Sequence, residues 1–234
     1  DLKTPLTLIL SPLQRLIQQP QISNNDKEKL EVIYRNANRM NYLINELLTF
    51  SKIEMKQMHI SVRKGDIMHF LEELSHIFDI VAGEREIDFI VSLEDTKEEV
   101  WFSPSKLERI LYNLLSNAFK YTQPGGYVRL SAKLIKEEKE TMVQISVKDS
   151  GRGIPKDVQE QIFESYYQVE KRDHREGFGL GLSLTRSLIH MHKGEIRVES
   201  EVNKGSDFIV TLNVSEDAYA PDERSSENIT TEEI

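Results

Sequence analysis

Near the start of the chain apolar residues recur at alternating steps of four and three. Leu2, Leu6, Ile9, Leu13 and Leu16 form one such series, and Leu30, Ile33, Ala37, Met40, Ile44 and Leu47 form another. This spacing predicts two helices, each with a coiled-coil type seam. Pro20 and the polar run Ser23, Asn24, Asn25, Asp26 lie between them, a stop followed by helix-start chemistry, so the helices are expected to fold back as a hairpin. Pro5 and Pro12 each remove a backbone donor from the first helix, and a bend is expected near Pro5. One hairpin has too little core to stand alone. Two hairpins from two chains would bury both seams as a four-helix bundle, so dimerisation is the physical expectation. Seams alone favour a purely structural coiled coil.

After about residue 57 the pattern changes to mixed helix and strand. Ile67, Phe70, Leu71, Leu74, Ile77, Phe78 and Val81 share one helical face, and a second helix begins at Ser103 with Pro104 in the first turn, where proline is tolerated. Strand-like alternation follows in Val128, Leu130, Ala132 and Leu134, in Val143, Ile145 and Val147, and in Phe208, Val210, Leu212 and Val214. Ile196 and Val198 mark a shorter strand, preceded by a helix over about 181–192. The predicted chain is therefore α+β: a helical hairpin over 1–57, then an α/β sandwich over 60–214 with helices on one face of a mixed sheet.

Composition changes this picture in three places. Hydrophobic content of 38% is ample for a core, and no apolar run approaches the ~20 residues a membrane-spanning helix needs. With no basic or signal-type apolar opening either, the chain is expected to be soluble and cytoplasmic. Cysteine is absent, which removes disulfide frameworks and thiolate metal sites. The net charge of -9 is concentrated after Val214, where seven acids accompany the single base Arg224. A mildly acidic body without a basic stripe argues against nucleic acid as a partner, and residues 215–234 read as an acidic disordered tail or linker.

Three constellations carry chemistry. On the helix that starts at Ser103, Leu107, Ile110, Leu111, Leu114, Leu115 and Ala118 form a stripe, while Asn113, Asn117 and Lys120 cluster roughly 125° from its centre. Amide oxygens suit Mg²⁺ and a lysine can neutralise phosphate oxygens, so this face could hold a magnesium triphosphate; the alternative is a solvated helix face. Asp149, Gly151 and Gly153 follow the strand of Val143, Ile145 and Val147. An aspartate there can accept from the exocyclic amine of adenine while the glycines let the backbone approach the ring, or the segment is an ordinary turn. Gly177, Gly179 and Gly181 precede the helix over 183–192, leaving backbone N–H groups and a helix N-terminus to face an anion. The run differs from a Walker loop, since no Gly-Lys-Ser/Thr follows it. The charged stretch over 154–176, with Tyr166 and Tyr167, reads as a mobile lid.

These segments resemble, in order, the motifs of sensor histidine kinases. The stretch from Asn113 through Asn117 and Lys120 to Tyr121 looks like the N box, the run from Asp149 to Gly153 like the G1 box, and the run from Gly177 to Leu182 like the G2 box. Phe163, Tyr166 and Tyr167 resemble the F box, and Gly205, Ser206 and Phe208 the G3 turn. The segment from Asp1 through Thr4 and Pro5 looks like the H box from its second residue onward.

The resemblance implies an ATP-binding sandwich of the histidine kinase and gyrase type behind a dimeric phosphoacceptor hairpin, with ATP and Mg²⁺ as ligands. It implies that Asp149, with Gly151 and Gly153, binds adenine, that Tyr121 lies against the ring, and that Asn113 and Asn117 hold Mg²⁺. Lys120, Gly177, Gly179, Leu180 and Gly181 would contact phosphates, and Ser206 would act through a water near the base. Related ATPases carry a glutamate base where Asn113 stands, and an amide cannot serve as that base. The H box begins with the histidine that takes the phosphoryl group, and here the match begins one residue later, so the chain itself is expected not to autophosphorylate. His59, His69, His76, His174, His190 and His192 lie outside the match, the last two reading as surface residues at a helix end. With a histidine ahead of it, Asp1 would orient the imidazole, and Thr4 would position water for dephosphorylating a partner. Implied partners are a second copy of the chain and the receiver domain of a response regulator, with a membrane reached only through sensor segments elsewhere. The alternatives are an ATPase of the same fold and a catalytically silent nucleotide-binding dimerisation module.

Overall fold

In the computed structural model, which describes residues 3–17, 23–55, 57–138, 140–168 and 179–225, the chain opens on two helices, α1 (Lys3–Ile17) and α2 (Asn24–Glu54), packed on each other. Ser23 caps α2 by accepting the Asp26 N–H at 3.2 Å, as helix-start chemistry requires. Pro12 lies inside α1. Pro20 and Asp1 lie outside the described residues. Within one hairpin the seams are only half covered. Ala37 is buried, whereas Ile9, Leu16, Ile33, Met40 and Leu47 are exposed.

Beyond the hairpin, a five-stranded sheet has the order β2-β4-β5-β7-β6, built from β2 (Asp88–Leu93), β4 (Tyr127–Lys136), β5 (Thr141–Asp149), β6 (Glu195–Glu201) and β7 (Gly205–Asn213). The β2–β4 pair is parallel and the other pairs antiparallel, so the sheet is mixed. Helices α3 (Ile67–Arg85), α4 (Pro104–Tyr121) and α5 (Gly181–Met191) contribute to one core with the sheet. On β5 the alternation does this directly: Val143, Ile145 and Val147 are buried while Gln144, Ser146 and Lys148 are not. Among the described residues no helix is long and apolar enough to cross a membrane.

Three strands lie beyond the expected set. Strands β1 (Arg63–Asp66) and β3 (Glu99–Phe102) pair antiparallel as a separate two-stranded sheet, and at four residues each they are too short to show an alternation. Strand β2 is an edge on which the neighbouring Ile90 and Val91 are both exposed, so burial does not follow a period of two there. On α3 the expected face is displaced. Ile77 is 56% exposed, about 100° around the helix from the centre of a face that buries Ile67, Leu71, Leu74, Phe78 and Ala82.

The tail is a further correction. Residues 215–225 are ordered against the body, and only 226–234 lie outside the described residues. Tyr219 is 2% exposed, packs in a small second core with Ile60 and Val62, and donates its hydroxyl to the Asn213 carbonyl at 2.5 Å. Val62 forms a parallel bridge with Arg224: the Val62 N–H donates to Glu223 O at 2.8 Å, and the Ser225 N–H to Val62 O at 2.9 Å. Charge and low hydrophobicity suggested disorder, but a single aromatic ring with a waiting pocket outweighs them. The segment thus clasps the connector that leads from α2 into β1.

Replacing Tyr219→Ala should therefore lower the unfolding free energy by about 3 kcal/mol in urea titration, since a buried ring and its hydrogen bond are lost. An unattached tail would leave the midpoint unchanged.

Candidate functional site

Helix α4 presses its apolar stripe onto the sheet: Leu107, Ile110, Leu111 and Leu115 are fully buried, Leu114 and Ala118 nearly so. That packing turns Asn113, Asn117, Lys120 and Tyr121 toward a cavity of about 310 Å³. Asp149 and Gly153 reach the same cavity from the end of β5, Gly179, Leu180 and Gly181 from the start of α5, Ser206 from β7 and Glu46 from α2.

Asp149 is 4% exposed, and its Oδ1 accepts the Gly151 N–H at 2.8 Å. Burial pushes its carboxyl above the ordinary carboxylate value, while N–H groups of Gly151 and Ser206 pull the other way. A carboxylate offers about four acceptor positions, so these bonds leave capacity toward the cavity. Gly153 sits at φ +69°, where a side chain would run into the Glu201 carbonyl. Ser200 ties this turn to β6: its Oγ accepts the Ile154 N–H and donates to Gly205 O, both at 2.8 Å. With its one proton so used, Ser200 Oγ accepts from Ser206 Oγ at 3.0 Å.

Two cations meet the ring of Tyr121. Lys120 Nζ donates to the Tyr121 hydroxyl at 3.1 Å, and the Arg152 guanidinium stands 4.5 Å from the ring centroid. Asn113 is held from α5, donating its Nδ2 to Thr185 Oγ1 at 2.8 Å. Its amide oxygen, like that of Asn117, is a hard donor suited to Mg²⁺, so the residues present fit that ion. Among the described residues no group of three or more His, Asp or Glu could hold a metal by itself.

Helices α4 and α5 are also joined away from the cavity. His192, the residue after α5, is fully buried and accepts the Ser103 backbone N–H through Nε2 at 3.2 Å. Because a backbone N–H must be the donor, Nε2 carries no proton, and Nδ1 donates to Leu188 O at 3.0 Å. Burial accordingly lowers its pKa to about 4.

Comparison with known proteins decides the family. The profile of the histidine kinase-, DNA gyrase B- and HSP90-like ATPases matches residues 102–216, and that of the His Kinase A phospho-acceptor domain matches residues 1–56. Histidine kinase P4 of Formosa agariphila is 36% identical over 217 residues, 91% of this chain and 16% of that protein. Sensor histidine kinase TmoS of Ectopseudomonas mendocina is 36% identical over 225 residues, 94% of this chain and 23% of that protein. The chain belongs to the sensor histidine kinases of two-component systems. The crystal structure of full-length ShkA in complex with AMPPNP shares the fold, with a TM-score of 0.78 at 24% identity over 92% of this chain and 44% of that one. The chain spans about a sixth and about a quarter of the lengths of the two curated relatives.

In this histidine kinase chain the cavity gathers residues that lie far apart in sequence: Asn113, Asn117, Lys120, Tyr121, Asp149, Gly153, Gly179, Leu180, Gly181 and Ser206. Gly151 stands behind the wall as a donor to Asp149. Gly177 and Asp1 lie outside the described residues, and Thr4 is on α1. The expected lid is anchored over its first part, since Ile162 and Phe163 are buried, Phe163 meets Phe208 edge to face, and the Tyr166 N–H donates to Gly179 O at 2.9 Å. Residues 169–178 lie outside the described set. The expectation of two surface histidines holds for His190 and fails for His192, which the α4–α5 junction encloses.

Thr185, Glu46 and Arg152 went unassigned in the sequence. Thr185 shares the buried face with Leu184, Leu188, Ile189 and a second hydroxyl, Ser183, and nothing in the local pattern sets it apart. Glu46 is 5% exposed on α2, and the contact between α2 and the sandwich also includes Arg109 Nη1 donating to Thr49 Oγ1 at 2.8 Å and Phe50 against Tyr166.

His192 sets a pH dependence. Its folded pKa of about 4 lies below the ordinary 6.5, so the unfolded chain takes up the proton first. Stability is full above pH 6.5 and falls as pH drops toward 4, by about 3 kcal/mol in all. Urea titrations between these limits should show a steeper loss for the native chain than for His192→Gln.

Proposed function

We propose that this chain is the catalytic core of a sensor histidine kinase that binds Mg-ATP in the α4–α5 cavity and delivers the γ-phosphoryl group to a hairpin histidine. From there the group would pass to an aspartate on the receiver domain of a response regulator. The observation that carries the reading is a buried carboxylate, Asp149, sharing one cavity with two amide side chains, a lysine and a glycine-rich helix start.

In this reading residues 60–214 are the ATP-binding domain. Asp149 accepts from the adenine amine, with Gly151 and Gly153 letting the backbone approach, Tyr121 lies beside the base, and Ser206 orients a water there. Asn113 and Asn117 hold Mg²⁺ through their amide oxygens, and Lys120 with the turn from Gly177 through Gly179 and Leu180 to Gly181 takes the phosphates. Bound Mg²⁺ supplies neutralisation of the charge on the triphosphate oxygens. Asn113 cannot act as a base, so water in the cavity is not activated and the hydrolase alternative loses ground.

Residues 1–57 are the dimerisation and phosphoacceptor hairpin. The exposed Ile9, Leu16, Ile33, Met40 and Leu47 supply the face that a second copy covers. Asp1 orients a histidine placed immediately before it, and Thr4 positions water when the regulator is dephosphorylated. The silent dimerisation module remains the reading if no histidine accepts phosphate. The proposed setting is the cytoplasmic side of a membrane-embedded sensor.

Calorimetry tests the nucleotide site. Asp149→Asn should weaken ATP at least tenfold with the fold intact, because a charge-assisted bond contributes about 1.5 to 3 kcal/mol. Unchanged affinity would remove Asp149 from the site. Labelled ATP tests the chemistry. The present chain should take no stable label, since a carboxylate is a poor nucleophile and a threonine hydroxyl needs an adjacent base. A chain extended upstream through a histidine immediately before Asp1 should carry phosphate that is labile in acid and stable in base. Label on the unextended chain would mean another acceptor, and none on the extended one would favour the silent module.

A further inference from the structure

Of the two amides facing the cavity, Asn113 is held by a side chain of the opposing helix. Its Nδ2 donates to Thr185 Oγ1 at 2.8 Å, and Thr185 is 1% exposed. On the other side Gly181 approaches so closely that a methyl group there would stand 2.5 Å from Asn113 Oδ1. The amide is thus fixed at both ends: nitrogen toward the buried hydroxyl, oxygen beside the glycine at the start of α5. Asn113 and Gly181 line the cavity, and Thr185 lines only a smaller adjoining pocket that shares both of them.

An amide presents two groups of similar size and opposite polarity. A cation is bound by the oxygen and repelled by the NH₂, so an amide free to rotate is a poor ligand. We propose that Thr185 is a positioning residue for Mg²⁺: by accepting from Asn113 Nδ2 it keeps Oδ1 turned to the metal. Asn113 is the ligand and Thr185 acts only through it. The inference rests on the reading of the cavity as a Mg-ATP site and adds a residue to it. It also gives the buried hydroxyl a reason, because valine has the same shape as threonine but offers Asn113 no acceptor.

The test separates metal from nucleotide. ATP affinity is measured by calorimetry in excess Mg²⁺ and again in a chelator, and the ratio of the two is the gain from the metal. In Thr185→Val the shape is kept and the acceptor lost, so the gain should shrink about tenfold, the scale typical of residues that orient a metal ligand, while metal-free ATP affinity stays within about twofold. Thr185→Ser retains the hydroxyl and should restore the gain. If valine prevents folding, as judged by thermal unfolding, Thr185→Cys makes the same comparison, sulfur being a weak acceptor. A native chain with no gain from Mg²⁺ would overturn the metal reading itself. A native gain that valine or cysteine leaves intact would overturn the role of Thr185 alone. Equal losses with and without metal would reduce Thr185 to a packing residue, and so would a serine variant that behaves like valine.

Discussion

Leu107, Ile110, Leu111, Leu114 and Leu115 on α4 are all but inaccessible to water, and the sheet they press on settles which other residues of that helix meet the cavity. Each such side chain contributes about 2 kcal/mol by leaving water, so turning the helix about its axis would cost several times the stabilisation any polar contact could return. Asn113, Asn117 and Lys120 have no comparable preference of their own. Their direction is a by-product of apolar packing on the other side of the helix, and the polar chemistry of the site rests on that one-sided burial.

A second constraint acts between helices. α4 and α5 both line the cavity, pack on each other and are tied together twice. Near the cavity Asn113 donates to Thr185, and at the remote end Ser103 donates to the buried, neutral His192. Both links are single hydrogen bonds, the one to His192 fully buried and the one to Thr185 buried on the threonine side, where an unpaired partner costs more than the bond contributes. The spacing of the two helices is therefore held by polar groups that cannot separate without penalty. The segment over 154–168 joins the same core through Ile162 and Phe163.

The hairpin meets this framework in two ways. Directly, Glu46, Thr49 and Phe50 of α2 touch the cavity wall, Arg109 and Tyr166. Indirectly, residues 215–225 cover the connector at Ile60 and Val62 through Tyr219 and the bridge to Arg224. The connector is held between the clasp on one side and β3 on the other, with the Trp101 N–H donating to Val214 O at 3.0 Å. Movement of α2 relative to the sandwich has to pass through that clasped segment.

Periodicity alone was enough for the hairpin seams, for α4 and α5, and for the strands with clean alternation, because period and burial coincide wherever an element has one wet and one dry face. The family was legible for a related reason: phosphate and adenine chemistry needs particular side chains and glycines at short range, and these stand together in the sequence around Asn113, Asp149 and Gly181. Contacts across the fold were not legible. Strands β1 and β3 are too short to show a period, and they exist only because each pairs with the other. Ile77 looked like core and is exposed, since an apolar residue at the margin of a stripe is buried only if a neighbour reaches it. His192, Thr185 and Tyr219 each carry a polar group whose partner lies 89, 72 and 6 residues away in sequence. Local pattern reports which side of an element avoids water, whereas the identity of a buried polar group's partner is decided only when the tertiary structure brings distant backbone and side chains within hydrogen-bonding distance.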